Sequence, residues 1–163
     1  MKKLARNILF GIFIIYCFFV AYMVFFSRGF RTQYSYMHYL RYFTNFIPFK
    51  TIVHYIMLYK NGLQGLAIFN LLGNFVLFMP MGALLPCVFK RLDRFWKVTL
   101  CVLIMVISVE IMQFALRVGI IDVDDVIFNL SGAMIGYGIT KIPFVSKLLR
   151  RFYIFDRDRE ISK

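Results

Sequence analysis

Residues 98–140 read VTLCVLIMVISVEIMQFALRVGIIDVDDVIFNLSGAMIGYGIT. The first 19 carry a single charge, Glu110, and the last 15, residues 126–140, carry none. A bilayer core about 30 Å thick takes roughly 20 apolar residues in a helix, so the stretch predicts two membrane spans. The second reaches a spanning length of ~28 Å, at ~1.5 Å per residue, only if its helix starts at Asp122. A charged turn from Arg117 to Asp125 joins the two.

Working outward, residues 66–89 form another run of 24 without charge, and residues 8–26 a run of 19 behind Lys2, Lys3 and Arg6. The latter is longer than a signal-peptide core and is followed by no small-residue cleavage pattern, so a retained first span is expected. The predicted fold is an all-α polytopic membrane protein, a small four-helix bundle with spans near 8–26, 66–89, 98–116 and 122–140, forming a single domain over 1–163. Pro80 and Pro86 are expected to kink or shorten the second span.

Composition agrees. The chain has 163 residues, 61% of them apolar, with a mean hydropathy of +0.72. A soluble domain of this size has too small a core to hide that many apolar side chains. Disordered chains combine low hydrophobicity with high charge and are excluded. The net charge of +12 does not imply nucleic-acid binding, because cytoplasmic loops of membrane proteins collect Lys and Arg. Cys17, Cys87 and Cys101 sit inside apolar runs without metal-ligand spacing and read as small buried hydrophobes.

With both termini in the cytoplasm, 14 of the 20 basic residues fall inside and 6 outside, so the positive-inside rule favours that orientation. Residues 27–65 then form an outer loop holding five basic residues, no acidic ones and ten aromatics. Rings with polar tips suit the membrane interface. The loop is expected to lie along the outer leaflet, with residues 51–59 as a short interfacial helix. Residues 141–163, with seven basic side chains, read as a cytoplasmic cap against anionic lipid.

An ionisable group inside a span costs about 2.5–3.5 kcal/mol on insertion scales and marks a functional candidate. At about 100° per residue, Glu110, Gln113 and Arg117 share one face of the third span. Asp122, Asp125, Asn129, Gly132 and Gly136 share a face of the fourth, from which Asp124 points away. Asn70 and Asn74 lie one turn apart on the second. Three such stripes predict one polar pocket open to the outside. Plainer readings stand beside this one: Asp122 and Asp125 as an acidic helix start, Gly132 and Gly136 as a packing GxxxG, the two asparagines as interhelical hydrogen-bonders, and Arg117 as an interfacial snorkelling residue.

The run Asn70-Leu-Leu-Gly73-Asn74 and the segment Phe78-Met-Pro80-Met-Gly82 are followed by Glu110-Ile-Met-Gln113, Arg117 and Asp122-Val-Asp124-Asp125-Val-Ile-Phe-Asn129-Leu-Ser-Gly132. Together with Asn45-Phe-Ile-Pro48-Phe49 in the first loop, this resembles the VanZ-like membrane protein pattern over about residues 1–146. The resemblance implies a multi-pass protein of the bacterial cytoplasmic membrane, of a family whose namesake lowers susceptibility to the glycopeptide teicoplanin. It supplies no reaction.

Two functions fit these residues. In one, a non-enzymatic envelope protein binds a lipid or lipoglycopeptide in the pocket, with Asn70, Asn74, Gln113, Arg117, Asp122 and Asn129 as ligand contacts. In the other, an intramembrane enzyme acts on an envelope glycolipid or prenyl-phosphate-linked precursor. Glu110 and Asp125 would then be its catalytic carboxylates, and Asp122, Asp124 and Asp125 would hold Mg2+ or Ca2+ against a phosphate. The Gly132/Gly136 face also offers a surface for homo-oligomerisation.

Overall fold

The structure, a computed structural model, describes residues 2–27, 29–62 and 64–151. The side chains of residues 2, 3, 5, 6, 64–71, 150 and 151 lie outside that description, as does the part of the basic tail from 152 to 163. In chain order the elements are α1 (Lys2–Phe25), α2 (Tyr36–Tyr42), β1 (Thr44–Asn45), α3 (Lys50–Lys60), α4 (Gln64–Val88), α5 (Phe95–Leu116), β2 (Ile121–Asp122), α6 (Val123–Lys141) and α7 (Pro143–Arg151).

Two of these helices are long and apolar enough to cross a membrane, Asn7–Phe25 and Phe95–Leu116. Their side chains are largely uncovered: 17% of the first window and 28% of the second are buried within the protein. The core helix of a soluble protein would hide most of such a surface, so these two helices are built to face hydrocarbon. In α4, the stretch Leu72–Val88 is a shorter apolar segment. α6 carries Asp124, Asp125 and Asn129 in its first two turns. Among the described residues, length and composition mark two spans.

Proline does not end α4. The helix runs to Val88 through Pro80 and Pro86, and Tyr16 of α1 donates its hydroxyl to Leu77 O at 2.5 Å. The inward face is continuous across four helices. Val98, Val102 and Val106, spaced four apart on α5, are fully buried against Phe78, Met81 and Leu85 of α4, Ala133 and Tyr137 of α6, and Phe13, Val20 and Val24 of α1.

α4 and α6 form the most extensive helix pair, and glycine is the reason. A Cβ at Gly82 would fall on the Ala133 carbonyl, one at Gly132 on Phe75 O, and one at Gly136 on Met79 O. The two backbones touch, the closest approach small residues permit. The glycine face considered for a second copy is thus covered by α4 of the same chain. At the opposite end from the Arg117 turn, Asp93 links the α4–α5 turn to the end of α6, its carbonyl accepting from Tyr137 Oη at 3.0 Å and Lys141 Nζ at 3.4 Å. The Lys97 ammonium, 3.1 Å away, holds the Asp93 carboxyl below its ordinary value.

The first loop departs most from expectation. It contains α3 over the anticipated interfacial stretch, but it is folded onto the α5–α6 turn rather than merely lying beside it. β1 pairs in parallel with β2, Thr44 opposite Ile121 and Asn45 opposite Asp122, and Phe30 bridges Val118 antiparallel. Loop backbone near a bilayer needs hydrogen-bond partners, and the 117–122 segment provides them.

Valine at Gly132 or Gly136 should force α4 and α6 apart and cost about 2 kcal/mol or more, read as a lowered thermal unfolding midpoint in detergent. Gly138→Ala, at a position with open space around it, should change stability by less than about 0.5 kcal/mol.

Candidate functional site

The α5–α6 turn starts with a left-handed residue. Arg117 closes α5 at φ 52°, a conformation that costs a non-glycine residue roughly 1 kcal/mol, and its side chain is put to use. Nη1 donates to Tyr34 O at 2.5 Å, and the guanidinium lies 4.6 Å from the centre of the Tyr36 ring. Tyr36 Oη in turn donates to Ala115 O at 2.8 Å. Arg31 reciprocates from the loop, its Nε donating to Gly119 O at 3.0 Å while the guanidinium stacks over Phe43. Tyr39 is fully buried and donates to Val118 O at 3.1 Å. Burial pushes its phenol above the ordinary value, with Arg31 opposing and Glu110 adding to the rise.

The acidic residues that follow complete the clasp. Asp122 is the N-cap of α6, accepting from Asp124 N at 2.9 Å. The same carboxylate accepts from Asn45 Nδ2 at 3.0 Å and from the Thr51 hydroxyl. Asp124 is fully buried, and far from pointing away from the working face it meets the start of α3. Its Oδ1 accepts from Phe49 N at 2.6 Å, and its Oδ2 accepts from Thr51 N at 2.9 Å and Ile52 N at 3.4 Å. A helix N-terminus has unsatisfied N–H groups and a positive dipole end, and a carboxylate from another element here serves both. Phe49 is held at φ 66° to present its N–H.

The expected polar pocket is divided among several tasks. Gln113 Nε2 donates to Val24 O at 3.1 Å and joins α5 to the end of α1. Asn74 and Asn129 are buried on α4 and α6, and Asp125 is half-buried. Asn129 Oδ1 and Gln113 Oε1 have no hydrogen-bond donor among the described residues. Asn70 lies on α4, its side chain outside the description. Asp122, Asp124 and Asp125 were expected to share a cation. Among the described residues no three His, Cys, Asp or Glu side chains are grouped to hold one. The reason is visible at Asp122 and Asp124, whose oxygens are directed at amide, hydroxyl and backbone N–H donors.

What remains is a cavity of about 360 Å³ walled by Ile107, Glu110, Ile111 and Phe114 of α5, Ile121, Asp122, Val123 and Val126 at the start of α6, and Leu40 and Phe46 of the loop. Glu110 and Asp122 border the cavity, but the surface it exposes is apolar. The volume lies at the lower end of the range for small-molecule sites, ~300–1,000 Å³. Sequence reasoning located both carboxylates but missed the apolar wall. Ile107, Ile111 and Phe114 recur at helical spacing beside Glu110, a signal that is indistinguishable from an ordinary lipid-facing stripe without the loop in place. Asn45 and Thr51 were likewise hidden, since their partners lie more than 70 positions away.

A family model described as VanZ/LLP1 matches residues 13–145. Protein VanZ of Enterococcus faecium is 34% identical over 89 residues, covering 53% of this chain and 55% of that protein. The chain thus aligns with about half the length of that curated relative. No solved structure matches.

Asp124→Ala should leave the first turn of α3 without its acceptor, at a cost of about 1–3 kcal/mol. Backbone amide exchange over residues 44–60 should accelerate while the amides of α4 and the core face of α5 stay protected.

Proposed function

This chain belongs to the VanZ/LLP1 family, and on that premise we propose that it is a multi-pass protein of the bacterial cytoplasmic membrane that lowers susceptibility to lipoglycopeptides such as teicoplanin by holding an amphiphile's apolar chain in the cavity between α5, α6 and the first loop. The observation that carries this reading is the cavity itself, a chamber with an apolar surface, closed on one side by Leu40 and Phe46 of the first loop. Sequestering the chain changes how the drug reaches its target and requires no bond to be made or broken.

The topology that goes with it is four spans, α1, α4, α5 and α6, with both termini cytoplasmic. The distribution of Lys and Arg supports it. So does the packing of α6, whose buried Asn129, Gly132 and Gly136 are turned inward and leave Ile135 and Ile139 outward. Glu110, seven residues before Arg117, then lies roughly 10 Å below the outer end of α5. At that depth the cavity opens among the acyl chains of the outer leaflet, and the basic, aromatic loop sits at the headgroups.

Ile111 lines the cavity yet is 62% exposed, and Ile104, two turns earlier, is 57% exposed and outside it. Ile111→Trp should return the teicoplanin inhibitory concentration of an expressing host to the vector level at unchanged protein abundance, while Ile104→Trp should keep the resistance. Full resistance in Ile111→Trp would overturn the reading. In a background lacking Cys17, Cys87 and Cys101, a cysteine at exposed Met37 should react with an impermeant maleimide in intact cells, and one at exposed Phe144 only after permeabilisation. The reverse pattern would overturn the orientation.

A further inference from the structure

The end of the bundle away from the Arg117 turn concentrates positive charge. Residues 90–97 and 141–151 hold eight basic residues and one acid, Asp93. That acid is engaged within its own turn, where Lys97 Nζ lies 3.1 Å from its carboxylate. The tail from 152 to 163 contributes three basic and three acidic residues and leaves the sign unchanged.

The two segments belong to one end of the fold. Asp93 O accepts from Tyr137 Oη and Lys141 Nζ of α6, and the rings of Phe95 and Tyr137 meet at 5.8 Å. Beyond Lys141 the helix stops. Ile142 takes a polyproline-like backbone, φ −57° and ψ 132°, as a residue before proline tends to, and Pro143 opens α7 at the first-turn position that suits it. The chain therefore leaves the axis of α6 before it enters α7.

α7 is amphipathic. At about 100° per residue, Phe144, Val145, Leu148 and Leu149 fall within an arc of about 140° and Lys147 lies outside it. The α6 side covers only one edge of that arc, where Val145 and Leu149 are half-buried. Phe144 and Leu148 are 77% and 45% exposed, and Lys147 is exposed as well. The α4–α5 turn repeats the pairing, with Trp96 57% exposed and Arg91 and Arg94 exposed near it in the chain.

Uncovered rings beside uncovered cations match a bilayer surface, where apolar parts enter the acyl boundary and basic groups meet anionic headgroups. An acidic protein would satisfy the cations alone. Trp96, moreover, stands in the first turn of α5, a helix long and apolar enough to cross a membrane, and indole is favoured where such a helix leaves the hydrocarbon.

We propose that α7 and the α4–α5 turn form one docking surface for anionic lipid, with Phe144, Leu148 and Trp96 entering the bilayer boundary and Arg91, Arg94 and Lys147 meeting the headgroup phosphates. The assignment rests on α5 crossing the bilayer, as proposed above, and is independent of the cavity.

Trp96 is the single tryptophan of the chain and reports on this surface directly. Full-length protein in nanodiscs of equal parts phosphatidylcholine and phosphatidylglycerol, with bromine on the acyl chains of one lipid or the other, provides the comparison. Brominated phosphatidylglycerol should quench Trp96 fluorescence at least about twofold more than brominated phosphatidylcholine. The difference should vanish at about 1 M salt, where the Debye length is about 3 Å. It should also vanish in the triple variant Arg91→Gln, Arg94→Gln, Lys147→Gln, while Lys50→Gln with Lys60→Gln, at the two ends of α3, should keep it. Amides of residues 144–149 should exchange at least about threefold more slowly with phosphatidylglycerol present than in phosphatidylcholine alone, a protection that Phe144→Ser should remove. Equal quenching by the two lipids, the result expected of a face that takes an acidic protein instead, would overturn the proposal and leave α5 standing as a span. So would a preference that survives both salt and the triple substitution, or α7 amides that exchange alike in the two membranes. Absence of quenching by either lipid would overturn the placement of this end at a bilayer, and the proposal with it. The wild-type and salt comparisons hold even if a variant fails to fold.

Discussion

A carboxylate removed from water must be given donors, and the arrangement around the α5–α6 turn follows from how Asp122 and Asp124 meet that demand. Asp124, fully buried, is satisfied by three backbone N–H groups at the start of α3. Asp122 is satisfied by its own helix start and by Asn45 and Thr51. An isolated buried charge would be far too costly. Once these two are at the head of α6, the loop has to be folded over them. The two-residue parallel pairing, the left-handed Phe49 and the placement of α3 all serve that contact.

The clasp also creates the cavity. Leu40 and Phe46 stand over the C-terminal half of α5 because α2 and β1 are fixed by Tyr39 to the 118–119 backbone and by β1 to β2. Without the loop, Ile107, Ile111 and Phe114 would be an ordinary lipid-facing stripe and Glu110 an isolated cost. Structure and function are joined there: the residues that hold the loop down are not the cavity's apolar wall, but they determine that it has a second side. Far from this site, the contact of α4 with α6 through Gly82, Gly132 and Gly136 sets the separation of the helices on which the wall is built.

Much of this was legible beforehand, and particular residues show why. Charge-free runs located α1, α4, α5 and α6 within a few residues, because hydrocarbon thickness imposes a length that can be counted. The start of α6 at Asp122 followed from the same count and from the preference of Asp for helix caps. Gly132 and Gly136 were read as packing residues from their spacing alone. The angular arithmetic assumed helix where the chain leaves it, since Arg117 is a left-handed C-cap and Asp122 an extended N-cap. Gln113 reaches across to α1 and Arg117 back to the loop. Asp124, expected to face differently from Asp122 and Asp125 and named only as a cation ligand, is fully buried against the start of α3. Pro80 does not end α4, which runs on to Val88, two residues past Pro86.

By itself the sequence determined the helical membrane character, the approximate extent of the long helices, the family pattern and the identity of the carboxylates that matter. Those properties depend on local periodicity and on the solvent, and both can be counted along the chain. Only the tertiary structure decided that the first loop is a clasp, that Asp122 and Asp124 turn their oxygens to it, and that an apolar cavity lies between it and α5. Each of these depends on a partner between 70 and 90 positions away, and a direction across the fold is not encoded in spacing along one helix. Hydrogen-bond satisfaction is a condition on the whole molecule, met only when the chain has closed on itself.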